Sequence, residues 1–364
     1  MTDESTMPPH KQHTVAVVPG DGIGPEITKA TLEVLRATGC DLAFTFVEAG
    51  AAAVAAHGDP LPDRTLEVLR DADAVLKAPL SAPKGTGRIV RRRGGRDVTY
   101  PSINNALRRE LDLFVNIRPV HAFPGVPARA PEMDIVIMRE ISEGIYSGLE
   151  HRIGDVAAEA VKLTTVAATE RLARYAFSWA RARGRGVTLG HKANVLNLTD
   201  GLMLEVTTAI AEAEYPDVAF NDMMVDAVGL TLAKSPEQLD VVILDNQYGD
   251  ILSDVAGGLA GGIGIAPGAN IGAAGAMFEA AHGAAPDIAG KGIANPMGLI
   301  LSGAMLLDHL GEAQAAASIE RAVADVLADG EVRPPDLGGS VGTAVVGRAV
   351  AERVGELVSR ELTS

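Results

Sequence analysis

The segment Val241-Val-Ile-Leu-Asp-Asn-Gln-Tyr-Gly-Asp250-Ile-Leu-Ser-Asp254 decides much of the fold. Its first four residues form an apolar run typical of a buried strand, and the residues after it follow a helical pattern. Asp250 and Asp254 are four residues apart, so both carboxylates project from one face of that helix. Two like charges held side by side raise each other's pKa unless a cation lies between them, and oxygen ligands suit Mg²⁺ or Mn²⁺. The segment therefore predicts a strand, a helix and a divalent metal site.

The same alternation of strand and helix recurs along the chain. Short apolar runs predict buried strands at residues 14–18, 74–76, 134–138, 163–166 and 241–244. Helical patterns predict helices at residues 27–38 and 169–183. Alternation of this kind indicates an α/β protein with a largely parallel sheet.

The glycine-rich segment Gly20-Asp-Gly-Ile-Gly24 follows the first predicted strand, as a dinucleotide-binding loop does. The G-x-G-x-x-G fingerprint needs its third glycine where Pro25 stands, so the match fails. No other segment after a predicted strand carries the fingerprint. A Rossmann dehydrogenase is therefore disfavoured, and a nicotinamide cofactor would have to be held in another way.

Composition bounds the class of protein. The chain has 364 residues, a formal net charge of −15 and a single cysteine, Cys40. This acidity disfavours nucleic acid and anionic membranes as partners, and one cysteine fits a reducing compartment. Residues 1–12 lack the apolar core of a signal peptide, and the uncharged stretch 255–278 is interrupted by glycines, Pro267 and Asn270. We therefore expect a cytoplasmic globular protein without a membrane span.

Further motifs accompany the opening segment in order along the chain. They are Val18-Pro-Gly-Asp-Gly-Ile-Gly-Pro-Glu26, Ser102-Ile-Asn104, Glu143-Gly-Ile-Tyr146-Ser-Gly-Leu-Glu150-His151, His191-Lys192-Ala-Asn194, His282-Gly-Ala-Ala-Pro-Asp287-Ile-Ala-Gly-Lys-Gly-Ile-Ala-Asn295-Pro and Asp336-Leu-Gly-Gly339. Together they resemble the isocitrate/isopropylmalate dehydrogenases, the β-decarboxylating dehydrogenases of 3-substituted malates. The resemblance extends nearly end to end and is closest to NAD-dependent isocitrate or homoisocitrate dehydrogenase.

The resemblance implies a two-lobed α/β fold that is not a Rossmann fold. Residues 1–113 with 261–364 would form the large, cofactor-binding lobe. Residues 114–260 would form the small lobe, with the metal site and the dimer interface. The resemblance also implies a homodimer with shared active sites, in which Tyr146 of one subunit lies beside the partner subunit's Lys192 and the partner subunit's Asp226.

Individual roles are also implied by the resemblance. Tyr146 and Lys192 would be the catalytic acid/base pair, and Asp226, Asp250 and Asp254 would hold Mg²⁺ or Mn²⁺. The substrate-binding residues would be Ser102, Asn104, Arg108, Arg118 and Arg139. The cofactor-binding residues would be His282, Gly283, Ala285, Asp287, Ile288 and Asn295.

The chemistry of such a reaction matches these residue types. Oxidising an alcohol requires a base, and a nearby cation lowers the pKa of a lysine enough for Lys192 to act as one. Tyr146 can then protonate the carbanion left by decarboxylation. Taken singly, Lys192 could be a surface cation and Asp250 a helix-start residue. A non-catalytic regulatory subunit would keep this fold, but retention of Tyr146, Lys192 and all three aspartates argues against it.

The substrate and the cofactor follow from a few residues. Ser102 and Asn104, two apart and so on one side of an extended segment, can donate to a third carboxylate, which favours isocitrate; a helix N-cap role for Ser102 stays open. Homoisocitrate, 3-isopropylmalate or a phosphonate-bearing malate are alternatives, because Ile141 and Ser142 depart from the isocitrate pattern and residues 84–96 carry six cations. Asp287 would bind ribose hydroxyls and repel a 2′-phosphate, which favours NAD over NADP.

Overall fold

The computed structural model describes residues 12–81, 88–93 and 95–361. Its strands are β1 (His13–Val18), β2 (Leu42–Phe46), β3 (Ala74–Lys77), β4 (Ile89–Arg93), β5 (Arg96–Tyr100), β6 (Leu113–His121), β7 (Asp134–Glu140), β8 (Glu150–Ile153), β9 (Ala157–Ala160), β10 (Val187–His191), β11 (Phe220–Met224), β12 (Val241–Leu244), β13 (Pro267–Gly272) and β14 (Ala276–Ala280). Its helices are α1 (Gly24–Ala37), α2 (Ala51–His57), α3 (Asp63–Asp71), α4 (Ile103–Glu110), α5 (Val166–Arg183), α6 (Thr199–Glu214), α7 (Val225–Lys234), α8 (Asn246–Ala260), α9 (Met297–His309), α10 (Ala313–Asp329) and α11 (Thr343–Glu361).

A ten-stranded sheet runs through the described chain in the order β11-β10-β12-β7-β6-β13-β14-β3-β1-β2. The strands on either side are parallel to their neighbours. The three central pairings, β7 with β6, β6 with β13 and β13 with β14, are antiparallel. The predicted α/β class with a largely parallel sheet is confirmed.

Most elements expected from the sequence are present, and one is wrong. Residues 163–166 do not form a strand, since Leu163 makes a single bridge to Gly144. Thr165 instead caps α5, its Oγ1 accepting a hydrogen bond from the Ala168 amide at 3.2 Å. Residues 163–166 have the apolar and β-branched composition of a strand. The N-cap at Thr165 instead starts helix α5 at Val166.

The uncharged stretch 255–278 is partly buried and contains several kinds of secondary structure. It comprises the end of α8, a short 3₁₀ turn, β13 and the start of β14. The next helix, α9, is apolar around most of its surface and packs on β13 and β14, with α1 and α10 beside it. None of the described helices is both long and apolar enough to cross a membrane.

The basic segment 84–96, where it is described, forms the hairpin of β4 and β5. Arg91 is buried and pairs with Asp63, and Arg88 pairs with Glu150 of β8. Lys84 lies outside the described residues. The hairpin arises because residues 89–93 and 96–100 pair in register across a turn at Gly95, whose φ is 80°.

The predicted lobe boundaries fall at element ends. Residue 113 is the first residue of β6, and residue 260 is the last of α8. The sheet continues across both, because β6 pairs with β13. The division into lobes stays a prediction.

Candidate active site

The carboxyl ends of four adjacent parallel strands, β11, β10, β12 and β7, meet at one edge of the sheet. Lys192 directly follows β10, and Asp226 lies in the first turn of α7, just after β11. Asp250 and Asp254 lie on α8, which begins after β12, and Arg139 is the penultimate residue of β7. Open α/β sheets bind ligands at this edge. The topology thus brings the predicted catalytic and metal-binding residues to one end of the strands.

A polar cavity of about 280 Å³ lies beside this edge. Its charged and polar lining consists of Lys77, Ser102, Asn104, Arg108, Asn116, Arg118, Arg139, Tyr146, Asp250, Glu279 and His282. All five predicted substrate-binding residues are therefore brought together with Tyr146 and Asp250. Lys192, Asp226 and Asp254 are not part of the lining.

Ser102 and Asn104 reach the cavity from the start of α4. Ser102 is the N-cap, and its Oγ accepts a hydrogen bond from the Asn105 amide at 3.2 Å. The extended geometry expected for the pair is wrong, because Asn104 already lies in the first helical turn. The N-cap role is confirmed, yet the Ser102 hydroxyl keeps its proton available for a ligand. Ser102 can therefore both cap α4 and contact a substrate.

Arg108, rather than its neighbour Arg109, points into the cavity. Arg108 Nη2 lies 3.4 Å from Glu279 Oε1, whereas Arg109 is exposed and its guanidinium lies 5.7 Å from the Tyr100 ring centre. This difference follows from helical geometry, which points adjacent residues in different directions. The choice of Arg108 from the sequence is therefore matched by its position.

Two buried arginines are held in place by α8. Arg139 donates to Asn246 through Nε, at 2.8 Å to the backbone oxygen, and through Nη2, at 2.7 Å to Oδ1. Arg118 donates through Nη1 to Ser253 Oγ at 2.6 Å. Burial, with Arg108 and Arg118 nearby, lowers the pKa of Arg139 to about 9, so it remains a cation at neutral pH. Both guanidinium groups are thus fixed before any ligand binds.

The two aspartates of α8 lie beside these arginines. Asp250 accepts from Arg139, and Asp254 Oδ1 lies 3.2 Å from Arg118 Nη1. Burial raises the pKa of Asp254, Arg118 opposes that rise, and the charge of Asp250 adds to it. The spacing of the two aspartates thus places the charge of Asp250 where it repels that of Asp254. A divalent cation bound beside the two carboxylates would relieve this repulsion. Hard cations such as Mg²⁺ prefer oxygen ligands of this kind.

A complete metal site is not assembled from the part of the chain that the structure describes. There, no three His, Cys, Asp or Glu side chains come close enough to hold one ion. Asp226 instead accepts a hydrogen bond from Lys192, and these side chains are 69% and 29% exposed. Asp226 therefore does not join Asp250 and Asp254 within a single subunit, and a metal site formed by all three stays a prediction.

Tyr146 is presented to the cavity by a tight turn. It lies in a 3₁₀ turn flanked by Gly144 and Gly148, both with positive φ. A Cβ at Gly148 would lie 2.5 Å from Pro101 Cγ, so the turn needs glycine there. The Tyr146 hydroxyl donates to Asp250 Oδ2 at 3.4 Å. Burial, and next the charge of Asp250, raise the pKa of Tyr146, which keeps its hydroxyl protonated.

A buried ion pair that sequence reasoning missed joins the same cavity. Lys77, at the end of β3, is 1% exposed and pairs with Glu279 of β14. Although burial alone would raise the pKa of Glu279, Lys77 and Arg108 lower it to about 2. A lysine at the end of an apolar strand run was the available signal, since lysine is rarely buried without a partner.

A second, more apolar cavity of about 610 Å³ adjoins the first. Its lining includes Ile23, Ile263, His282, Gly283, Ala285, Ile288, Ile293, Asn295 and Asp336. His282 and Gly283 line both cavities, so a bound molecule could extend from one to the other. Buried His282 Nε2 has no hydrogen-bond partner among the described residues. An apolar cavity with one unpaired polar atom in its wall fits a flat ring that carries a hydrogen-bonding group.

The predicted cofactor residues occupy this second cavity with one exception. His282, Gly283, Ala285, Ile288 and Asn295 line it, whereas Asp287 is exposed and lies outside the lining. The carboxylate that does line it is Asp336, which accepts from Asn295 Nδ2 at 3.1 Å. The sequence motif containing Asp336 was recognised, but no role was assigned to this residue.

Comparison with known proteins agrees with this geometry. Residues 14–354 match the family model described as isocitrate/isopropylmalate dehydrogenase. The chain belongs to that family. It is 43% identical over 349 residues to the 3-isopropylmalate/3-methylmalate dehydrogenase of Methanocaldococcus jannaschii, covering 94% of this chain and 99% of that protein. It is 40% identical over 348 residues to the alpha subunit of mitochondrial NAD isocitrate dehydrogenase of Bos taurus, covering 94% and 91% respectively.

A solved structure gives the same family. The crystal structure of isocitrate dehydrogenase from Methylococcus capsulatus superposes with a TM-score of 0.88 at 45% sequence identity, covering 94% of this chain and 99% of that one. The chain is therefore an enzyme, a β-decarboxylating dehydrogenase, with the mixed α/β fold of its family. Its relatives carry different substrate names, so membership alone leaves the substrate of this dehydrogenase undecided.

In this dehydrogenase, Gly249 of α8 lies in close contact with the Arg139 side chain. A Cβ at Gly249 would lie 2.8 Å from Arg139 Cβ, which is anchored to the backbone and cannot easily move. We expect Gly249→Ala to displace Arg139 and lower kcat/KM for the substrate by roughly 10- to 100-fold. Gly355→Ala in α11, where a Cβ meets nothing within 4 Å, is the matched control and should leave kcat/KM unchanged. Equal kcat/KM for both variants would show that the position of Arg139 is unimportant.

Proposed function

We propose that this dehydrogenase oxidises and decarboxylates isocitrate to 2-oxoglutarate and CO₂, with NAD as hydride acceptor and Mg²⁺ or Mn²⁺ as cofactor. The observation that carries the proposal is the convergence of Arg108, Arg118 and Arg139 with Ser102 and Asn104 in one cavity that also contains Tyr146. Guanidinium groups are the natural partners of carboxylates. Such a lining suits a small substrate with several carboxylates.

Unsatisfied buried atoms support a ligand at this place. Asn104 Oδ1 and Arg108 Nε are buried, and neither has a hydrogen-bond partner among the described residues. The amide of Asn104 can rotate to present its N–H₂ group instead, because the two orientations differ only in hydrogen bonding. A carboxylate between these groups would accept from both. Leaving them unpaired would cost roughly 1–3 kcal/mol each.

The polar side chains of Ser102 and Asn104 in the cavity favour isocitrate over 3-isopropylmalate. The third group of isocitrate is a carboxylate, and that of 3-isopropylmalate is a branched alkyl group. Ser102 and Asn104 can donate hydrogen bonds to the former, whereas the latter would leave them unpaired. The substrate proposal therefore rests on these two side chains.

The proton transfers are assigned to two side chains of this chain. Lys192 Nζ would take the proton of the substrate hydroxyl, and Tyr146 would deliver a proton to the carbon that loses CO₂. The raised pKa of Tyr146 keeps its hydroxyl protonated at neutral pH, the form in which it can donate a proton. Asp226, Asp250 and Asp254 would hold the metal ion, which when bound polarises the hydroxyl oxygen and stabilises negative charge. Arg118 and Arg139 would fix the orientation of the malate carboxylates.

A homodimer with shared active sites accounts for the separation of Lys192 and Asp226 from the cavity. Large apolar side chains are exposed on the elements that flank the site, within residues 114–260. They include Leu149, Ile153, Val195, Leu198, Leu230, Ile251 and Val255. Their position around the site, rather than their number, supports a protein interface there. We infer that a second copy covers them and brings its Lys192 and Asp226 to the cavity.

The cofactor preference is expected to follow from a carboxylate near the ribose. With Asp287 in that position, kcat/KM for NADP should be lower than for NAD by a factor of about ten or more, since a 2′-phosphate is repelled. Asp287→Ser should narrow this ratio, and Asp336→Ser should not. Equal kcat/KM for the two cofactors in the unmodified enzyme would contradict the proposal, and a response confined to Asp336→Ser would assign the role to Asp336.

The substrate assignment predicts a selective loss of activity. Ser102→Ala combined with Asn104→Leu should lower kcat/KM for isocitrate by about 100-fold, because two donors to the third carboxylate are lost. Malate-like substrates that lack that carboxylate should lose much less. Ser102→Asn alone keeps an N-cap and controls for damage to α4. Equal losses on both substrate types would leave Ser102 with a capping role only.

A further inference from the structure

A buried cluster outside the substrate cavity contains one cation between two carboxylates. Lys162, in the segment between β9 and α5, contacts Asp200 of α6 and lies 2.6 Å from Asp245 Oδ2. The Lys162, Asp200 and Asp245 side chains are 16%, 3% and 10% exposed. The Lys162 ammonium also lies 4.8 Å from the ring centre of Tyr248. These charges are therefore largely removed from water.

In each carboxylate, the oxygen that does not contact Lys162 accepts a hydrogen bond from a backbone amide. Asp200 Oδ2 accepts from the Lys192 amide at 2.7 Å. Asp245 is the N-cap of α8, and its Oδ1 accepts from the Tyr248 amide at 2.7 Å. One lysine thus connects the turn that carries Lys192 with the start of the helix that carries the two candidate metal ligands.

The sheet explains why one lysine can reach both places. Strands β10 and β12 are parallel neighbours, so the turn after β10 and the start of α8 lie side by side. Both carboxylates would repel each other without a cation between them. Burial alone would lower the pKa of Lys162, but Asp245 and Asp200 raise it above its ordinary value. Lys162 therefore stays charged across the working pH range.

We propose that Lys162 is a positioning residue that fixes the Lys192 turn relative to the N-terminus of α8. The inference rests on the proposed function, in which Lys192 takes the substrate proton. The turn has a second, independent support, since the Ala193 amide donates to His191 Nδ1 at 3.1 Å and His191 Nε2 pairs with Asp222 at 2.8 Å. Loss of Lys162 should therefore move Lys192 without unfolding the turn.

The experiment replaces Lys162 by Met and by Arg in the full-length enzyme, assayed with isocitrate, NAD and Mn²⁺. Lys162→Met should lower kcat by roughly 10- to 100-fold, because small displacements of a catalytic group have effects of that size. KM for isocitrate should stay within about twofold, since the arginines of the cavity are untouched. Lys162→Arg, which keeps a cation that can bridge both carboxylates, should recover much of the loss.

Arg185→Met is the matched control. Arg185 also lies between two aspartates, at 2.6 Å from Asp134 and 3.9 Å from Asp240, but at the opposite end of the strands. Arg185→Met should leave kcat unchanged. A further measurement separates positioning from general damage: the D₂O solvent isotope effect on kcat should rise in Lys162→Met, because proton removal by Lys192 becomes slower. A partly inactive preparation would lower kcat and leave that isotope effect unaltered.

Deuterium uptake of the peptide spanning residues 189–198 provides a readout that does not depend on activity. Uptake should be faster in Lys162→Met than in the unmodified enzyme or Arg185→Met, because the Lys192 amide loses its fixed acceptor. Unchanged uptake together with an unchanged isotope effect would overturn the proposal. If Lys162→Met does not fold, Asp245→Asn keeps the cap and must show the same rise in isotope effect. Absence of turnover in the unmodified enzyme would instead count against the proposed function.

Discussion

Asp250→Asn should lower kcat by about a thousandfold, equivalent to about 4 kcal/mol in the reaction barrier. The substitution keeps the size of the side chain and one oxygen, but it removes the charge that both a divalent ion and the neighbouring arginines require. The carboxylate of Asp250 contacts Arg139, Arg118 and Tyr146. The measurement is NADH absorbance at saturating isocitrate, NAD and Mg²⁺ or Mn²⁺.

Two controls accompany this prediction. Circular dichroism should show that Asp250→Asn is folded. Excess EDTA should abolish the activity of the unmodified enzyme until Mn²⁺ is restored. Asp240→Asn, at the amino-terminal end of β12, should keep full activity because it lies at the opposite end of the strands from the site. Full activity of the unmodified enzyme in excess EDTA would contradict the metal assignment.

Hybrid dimers should recover activity from two inactive variants. Tyr146→Phe and Lys192→Met are each expected to be nearly inactive alone, because every shared site then lacks one of the two groups. After reversible dissociation and mixing, half of the dimers are hybrids, and one of the two sites in each hybrid carries no lesion. Activity should therefore return to about a quarter of that of the unmodified enzyme.

The control for the hybrids is the unmodified enzyme taken through the same dissociation and mixing. Hybrid formation can be verified by carrying different affinity tags on the two variants. Verified hybrids that stay inactive, alongside an unmodified enzyme that recovers, would show that Tyr146 and Lys192 act within the same subunit.

Much of the fold could be predicted because its strands are short apolar runs next to helical patterns. The run at 241–244 and the helix after it are present as β12 and α8. Residues 163–166 look similar in sequence, yet they lead into a helix, because Glu143 accepts hydrogen bonds from the amide and the hydroxyl of Thr165 and so fixes the cap. Tertiary contacts of this kind are not visible in the local sequence.

The site was partly predictable for a related reason. The family resemblance implies roles for Tyr146, the three arginines and Asp250, and the structure gathers them in one cavity. Lys77 and Glu279 were missed, because they are far apart in the chain and meet only when β3 and β14 pair. Lys162 was missed too, since a lysine between two predicted elements reads as a solvated charge. Its partners are Asp200 of α6 and Asp245, the N-cap of α8.

The most direct test of the account is kcat/KM of the purified enzyme, with NAD and Mn²⁺, for isocitrate, homoisocitrate, 3-isopropylmalate and phosphonomethylmalate. We predict the highest value for isocitrate, with 2-oxoglutarate, CO₂ and NADH formed in equal amounts. A higher value for 3-isopropylmalate would contradict the role given to Ser102 and Asn104. No NADH from any of the four would contradict the proposed function itself and favour a regulatory subunit.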